Sequence, residues 1–185
     1  MVVRGKGGRR MAREDDLLSR ELDIYIRKHL RPEGIKLRGF FGIDVQHAAG
    51  PSTGGAKWAL DFLLKSLEVT FSEKLLELIE AKGRMASEIY TKAGITKTHF
   101  SKFKSDKEYH PTKETALAFA IALHLDLDET TDLLRRAGYS ISHSSESDLI
   151  VEFYIKKGVY NIDRINNQLD LRGHKTLTNW RKNKD

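Results

Sequence analysis

The sequence predicts a mainly α protein, a compact helical bundle with extra helices before and after its core. Two observations carry that expectation. Apolar residues recur at helical spacing in one segment after another. Glycines and capping residues separate those segments by short connections, and short helices joined by short links pack as a bundle. The chain has 185 residues, 39% hydrophobic and 31% charged, so it holds enough apolar material for a core in one domain plus a smaller appendage.

Taken in order, residues 1–11 (MVVRGKGGRRM) carry glycine and arginine without periodicity and read as a flexible basic arm. Residues 12–69 form an N-terminal helix and a connector. Leu18, Leu22, Tyr25, Ile26 and His29 fall at helical spacing from Ala12 to Leu30, and Arg31-Pro32 with Gly34 stops them. Residues 35–45 hint at a short strand, Gly50–Gly55 is a loop, and Trp58–Leu67 suits a short helix.

The signals become dense from Thr70. Thr70 and Glu73 have the spacing of a capping box, Phe71, Leu75, Leu78 and Ile79 make an apolar stripe, and Gly83 supplies a left-handed stop. Short helices follow over Ala86–Ala93 and Lys97–Lys104, meeting at Gly94. Pro111-Thr112 opens a more apolar helix through Leu123. Asp128 opens another, closed by Gly138, which ends a core of residues 70–138. Residues 139–173 add two helices, one around Leu149, Ile150 and Phe153 and one capped by Asn161. Residues 174–185 form a basic tail.

Composition removes several functions. With no cysteine, a disulfide framework, thiolate-bound zinc and a cysteine nucleophile are excluded. The seven histidines are scattered, and none stands at i,i+4 from another with a carboxylate companion, so no metal and no cofactor is expected. Gly50–Lys57 resembles a phosphate loop only superficially, because Ala56 separates Gly55 from Lys57 and Trp58 follows. His143, Ser145 and Asp148 have the atoms of a nucleophile–base pair, but serines before an apolar helix act as caps. A non-enzymatic protein is therefore expected. No apolar run approaches the ~20 residues needed to cross a bilayer, and no signal-like stretch follows the basic N-terminus. A soluble cytoplasmic protein with no membrane partner is the reading. A net charge of +6 and a pI near 9.4 favour a polyanionic partner.

The most informative stretch is Ala86–Asp106, ASEIYTKAGITKTHFSKFKSD. Gly94 suits a turn that needs a positive φ. Ile89, Ala93, Ile95, Phe100 and Phe103 fall where two helices would face each other and the bundle. Thr96, Lys97, Thr98, Ser101 and Lys102 then fall on the outward face, with Lys104 beside them. Lysines neutralise phosphates, and short hydroxyls approach base edges closely. Lys92, Lys107 and Lys113 would flank this site, while Asp106 and Glu108 weaken its field.

These residues resemble the helix-turn-helix of the phage-repressor-like (Xre/Cro) family. The family's turn glycine, the apolar residue after it, its exposed Ser/Thr-Arg/Lys pair and its two apolar anchors appear as Gly94, Ile95, Thr96-Lys97, and Phe100 with Phe103. The resemblance implies a lambda-repressor-like fold and transcriptional regulation through double-stranded DNA. It places base and backbone contacts at Thr96, Lys97, Thr98, Ser101 and Lys102. Two positions depart from the family pattern: Ala86 stands where glutamine is usual, and Tyr90 where alanine is usual. Residues 70–171 are also similar to a C-terminal helical region attached to some bacterial macro-domain proteins. That similarity implies an accessory, protein-binding module, so a non-enzymatic adaptor without sequence-specific reading stays open as the alternative. Leu149, Ile150, Phe153, Tyr154, Val159 and Tyr160 exceed the needs of one helix face. They read as core, or as the surface of a homodimer or protein partner; a dimer would read half-sites about 34–36 Å apart.

Overall fold

A computed structural model of the chain describes residues 6–29 and 69–178, with side chains described over 14–29 and 69–178. The readings of a strand at 35–45, the Gly50–Gly55 loop and a helix at Trp58–Leu67 lie outside the described residues, as do Trp180 and the end of the tail. The described residues 6–29 and 70–178 belong to one compact unit. The described residues are helical, with no strand among them.

Helix α1 covers Lys6–His29. It begins well before the pattern at Ala12 suggests, so residues 6–11 are helical and do not belong to a flexible arm. Helix α2, Phe71–Ala81, starts with the capping box: the Thr70 hydroxyl accepts the Glu73 amide, and the Glu73 carboxylate accepts the Thr70 amide. Helices α3 (Ala86–Lys92) and α4 (Lys97–Ser105) are short. Helix α5, Lys113–Ala122, is capped by Thr112, and every residue from Thr115 to Ala122 is buried. Helix α6 covers Leu127–Arg136. Its cap is Asp126, in a capping box with Glu129, so the helix opens before Asp128 rather than at it. Helices α7 (Glu146–Lys156) and α8 (Ile162–Leu171) start at Ser145 and Asn161, whose side chains accept the Asp148 and Arg164 amides.

Helix α5 is apolar on all sides because it lies inside the bundle. It packs on α3, α6 and α8, while α2 packs on α4 and α6. Its alanines keep the helix narrow, which lets neighbours approach. Helix α7 is also buried all round, from Asp148 to Ile155, and packs on α1, α6 and α8. Leu149, Ile150, Phe153 and Tyr154 are therefore core residues, with Val159 and Tyr160 packed against that core. Of the two readings of this apolar surplus, Leu149, Ile150, Phe153 and Tyr154 follow the core one. Ser145 and Asp148 serve the fold: Ser145 caps α7, and the Asp148 carboxylate accepts the Ser142 amide and pairs with Lys113.

Helix α1 adds Leu22 and Ile26 to the core and is tied down by charge. Lys157 pairs with Glu21 at 2.6 Å and Arg164 with Asp15 at 3.1 Å, and Arg172 pairs with Asp23. Beneath it, Glu152 is 3% exposed. One carboxylate oxygen lies 2.6 Å from Lys156 Nζ. The other has His143 Nε2 at 3.0 Å, without the alignment of a hydrogen bond. Lys156 also donates to the Tyr25 hydroxyl at 2.9 Å. Burial works to raise the Glu152 pKa, but hydrogen bonds from Lys156 and Tyr25 and the charges of Lys156 and His143 outweigh it and lower it.

A carboxylate whose pKa is lowered by folding contributes stability above its unfolded value, and that contribution is lost as pH falls through the folded value. Glu152→Gln should therefore flatten the fall in melting temperature below its ordinary pKa of 4.5, measured by circular dichroism against pH. An acid limb identical to the parent's would show that this network does not couple α1 to the bundle.

Candidate nucleic-acid interface

The Ala93–Thr96 turn follows from its backbone hydrogen bonds. The Gly94 amide donates to the Thr91 carbonyl at 3.0 Å and the Ile95 amide to the Tyr90 carbonyl at 2.8 Å. This pair of bonds closes α3 and requires a left-handed residue between them. Gly94 has φ +65°. Thr96, in extended backbone, then caps α4 by accepting the His99 amide at 3.2 Å.

Behind α4, Phe100 and Phe103 are buried. Phe103 meets Phe119 edge-on, with ring centroids 5.4 Å apart, and lies 5.7 Å from Phe71. Phe100 lies 6.1 Å from Phe119 and 5.3 Å from Tyr90. Tyr90, the position where the resemblance expects alanine, thus fills the space between α3 and α4 and packs on the anchor ring. Ala86, where glutamine is expected, is the first residue of α3 and brings no polar side chain to that helix start.

In front, Thr96, Lys97, Thr98, Ser101, Lys102 and Lys104 are all exposed. One face thus collects the six residues singled out from the sequence. Two of them also serve the backbone: Thr96 is the cap, and the Ser101 hydroxyl donates to the Lys97 carbonyl at 3.0 Å. Thr98 makes no side-chain hydrogen bond among the described residues. Lys102 and Lys104 lie over the Tyr109 and Phe100 rings, at 5.6 and 5.7 Å from the centroids. No carboxylate pairs with Lys97, Lys102 or Lys104 among the described residues. His99 stacks on Phe103, with Nε2 3.1 Å from the Tyr109 hydroxyl. Burial, aided by the Lys102 charge, holds its imidazole below its ordinary pKa, so it adds no charge to this face near neutrality.

The flanking lysines differ. Lys92 pairs with Glu88 at 2.8 Å, Lys107 with Glu73 at 2.8 Å, and Lys113 with the buried Asp148. Each is matched by a carboxylate, which reduces what it adds to the field of the cationic face.

Sequence reasoning missed what lies beside the turn. Residues 172–178, where the basic tail begins, fold back onto the bundle. Arg172 and His174 both reach Glu146, and Lys175 pairs with Glu114 at 3.0 Å. Leu177 is buried, its amide donating to Asn166 Oδ1 at 2.8 Å, and Asn166 Nδ2 donates to the Thr178 hydroxyl at 3.2 Å. This strap presses on the turn: a Cβ at Gly94 would lie 3.0 Å from the Thr178 hydroxyl oxygen. Its local signal was the lone apolar Leu177 inside an otherwise polar, basic stretch. Burial opposes ionisation of Glu114, but its backbone, Lys175 and Thr112 together lower its pKa, so it is charged at neutral pH.

No protein-family model matches the chain, and comparison with curated proteins and with solved structures finds no match either.

Three substitutions check this geometry by chemical and thermal denaturation. Phe100→Ala or Phe103→Ala should cost about 3–5 kcal/mol, the usual penalty for removing a buried ring; an unchanged melting temperature would mean the rings do not anchor α4. Gly94→Ala should cost about 1–2 kcal/mol from the left-handed backbone alone, with the crowding by Thr178 added. A neutral result would mean the turn is not held in this conformation.

Proposed function

We propose that this chain is a non-enzymatic, cytoplasmic DNA-binding protein of the helix-turn-helix type that regulates transcription. On this reading α3, the turn at Gly94 and α4 are the motif, and α4 is the helix that enters the major groove. The observation that carries it is the cationic face of α4, whose lysines have no carboxylate partner among the described residues: Lys97, Lys102 and Lys104 stand in solvent with Thr98 among them, while Phe100 and Phe103 hold the helix from behind. The flanking Lys92, Lys107 and Lys113 are matched with carboxylates, whereas Lys97, Lys102 and Lys104 have no carboxylate partner among the described residues, which suits a polyanion. The motif likeness to the phage-repressor-like family supports the same reading. Phosphates would neutralise the lysines, and Thr96, Thr98 and Ser101 are short enough to meet base edges.

A second reading, a protein-binding adaptor that keeps the motif without reading sequence, is favoured by Ala86 and Tyr90. The first leaves the α3 start without a polar contact residue, and the second wedges a ring between the two helices. The likeness of residues 70–171 to an accessory helical region supports it too.

Lys97→Ala with Lys102→Ala should weaken duplex binding and lower the salt slope by about two, one for each phosphate no longer neutralised. Thermal stability should not change, because exposed lysines contribute little to folding. Fluorescence anisotropy with random and genomic duplexes at two salt concentrations reads the affinity and the slope. Unchanged binding would move the interface away from α4, and a parent protein that binds no duplex would favour the adaptor.

A further inference from the structure

Beside the exposed face of α4 lies a groove of about 660 Å³. Tyr90, Thr96 and Lys97 border it on the motif side, and Glu114, Lys175 and Thr178 on the other. We propose that this groove seats the phosphate backbone of a bound duplex, with Lys175 of the strap as its second cation and Glu114 as the residue that restrains affinity. The proposal rests on the DNA-binding reading and specifies it: part of the interface comes from the segment after α8, outside the two-helix motif.

Three features support this. First, the strap is fixed to the motif. Leu177 is buried, Asn166 holds both Leu177 and Thr178, and Thr178 lies against Gly94. Lys175 is therefore carried by an anchored segment next to the turn that carries Lys97. Second, both cations reach water: Lys97 is exposed, and the Lys175 side chain is 68% exposed. Third, Glu114 is the one acid among the residues lining the groove, and its partner is Lys175 at 3.0 Å. The lysine end of this pair is open to solvent while Glu114 is half-buried, and a pair open to water is weakly held. A phosphate oxygen can take the place of the carboxylate as the partner of Lys175, at the cost of leaving Glu114 near a like charge. Glu114 would thus act against duplex binding by competing for Lys175 and by repelling phosphate, which limits sequence-independent affinity.

The full chain and a random-sequence duplex test this by anisotropy across a salt series. Glu114→Gln should tighten binding several-fold at low salt. Lys175→Ala should weaken it and lower the salt slope by about one, and Lys175→Arg should restore the slope. Lys157→Ala, which removes a cation at the far end of α7 that pairs with Glu21 on α1, should change neither. Melting temperatures near the parent's would show that the variants are folded. Glu114→Gln and Lys175→Ala binding like the parent, while Lys97→Ala with Lys102→Ala binds weakly, would overturn the groove and leave the DNA-binding reading standing. A parent that binds no duplex would overturn both.

Discussion

A nine-residue helix does not persist in water, where isolated helices below about 12–15 residues are marginal. Helix α4 has that length, and its sequence KTHFSKFKS is mostly polar. What holds it is the packing of two phenylalanine rings against Phe71, Phe119 and Tyr90. Every other property of the candidate interface depends on that burial. Phe100 and Phe103, three residues apart, set which side of α4 is inward. The same spacing forces Lys97, Ser101, Lys102 and Lys104 to the other side. An interface built this way can spend its exposed residues on a partner, because the rings behind them keep the helix folded.

The electrostatics has the same logic. Several basic side chains of the bundle are matched by carboxylates: Lys82 with Glu129, Lys92 with Glu88, Lys107 with Glu73, Arg136 with Asp132. Those pairs are mostly exposed and contribute little to folding, but they cancel the surrounding field. A formal charge of +6 spread over the chain would mark no particular surface. Local clustering does: Lys97, Lys102 and Lys104 stand on one short helix without carboxylate partners among the described residues. The strap beside it adds Lys175, whose pair with Glu114 is open to solvent on the lysine side.

The inward and outward faces of α4 were legible in the residues because helical spacing, a turn glycine and the position of two phenylalanines are local quantities. The Thr70–Glu73 box and the caps at Ser145 and Asn161 were legible for the same reason: a cap and the amide it serves lie three residues apart. The early start of α1 was not, because residues 6–11 include two glycines and carry no apolar period. Nor could the pairing of Lys113 with Asp148 be foreseen, since the partners are separated by 35 positions.

The sequence by itself determined the mainly helical class, most helix ends and the polarity of the α4 face, all of which follow from interactions within a turn or two of chain. Only the tertiary structure decided which lysines remain without carboxylate partners, that the apolar surplus of α7 is consumed by α1, α6 and α8, and that the basic stretch after Gly173 folds back onto Gly94. Those outcomes depend on contacts between distant segments. Their stability is a sum over the whole packed unit, so no local pattern of residues encodes them.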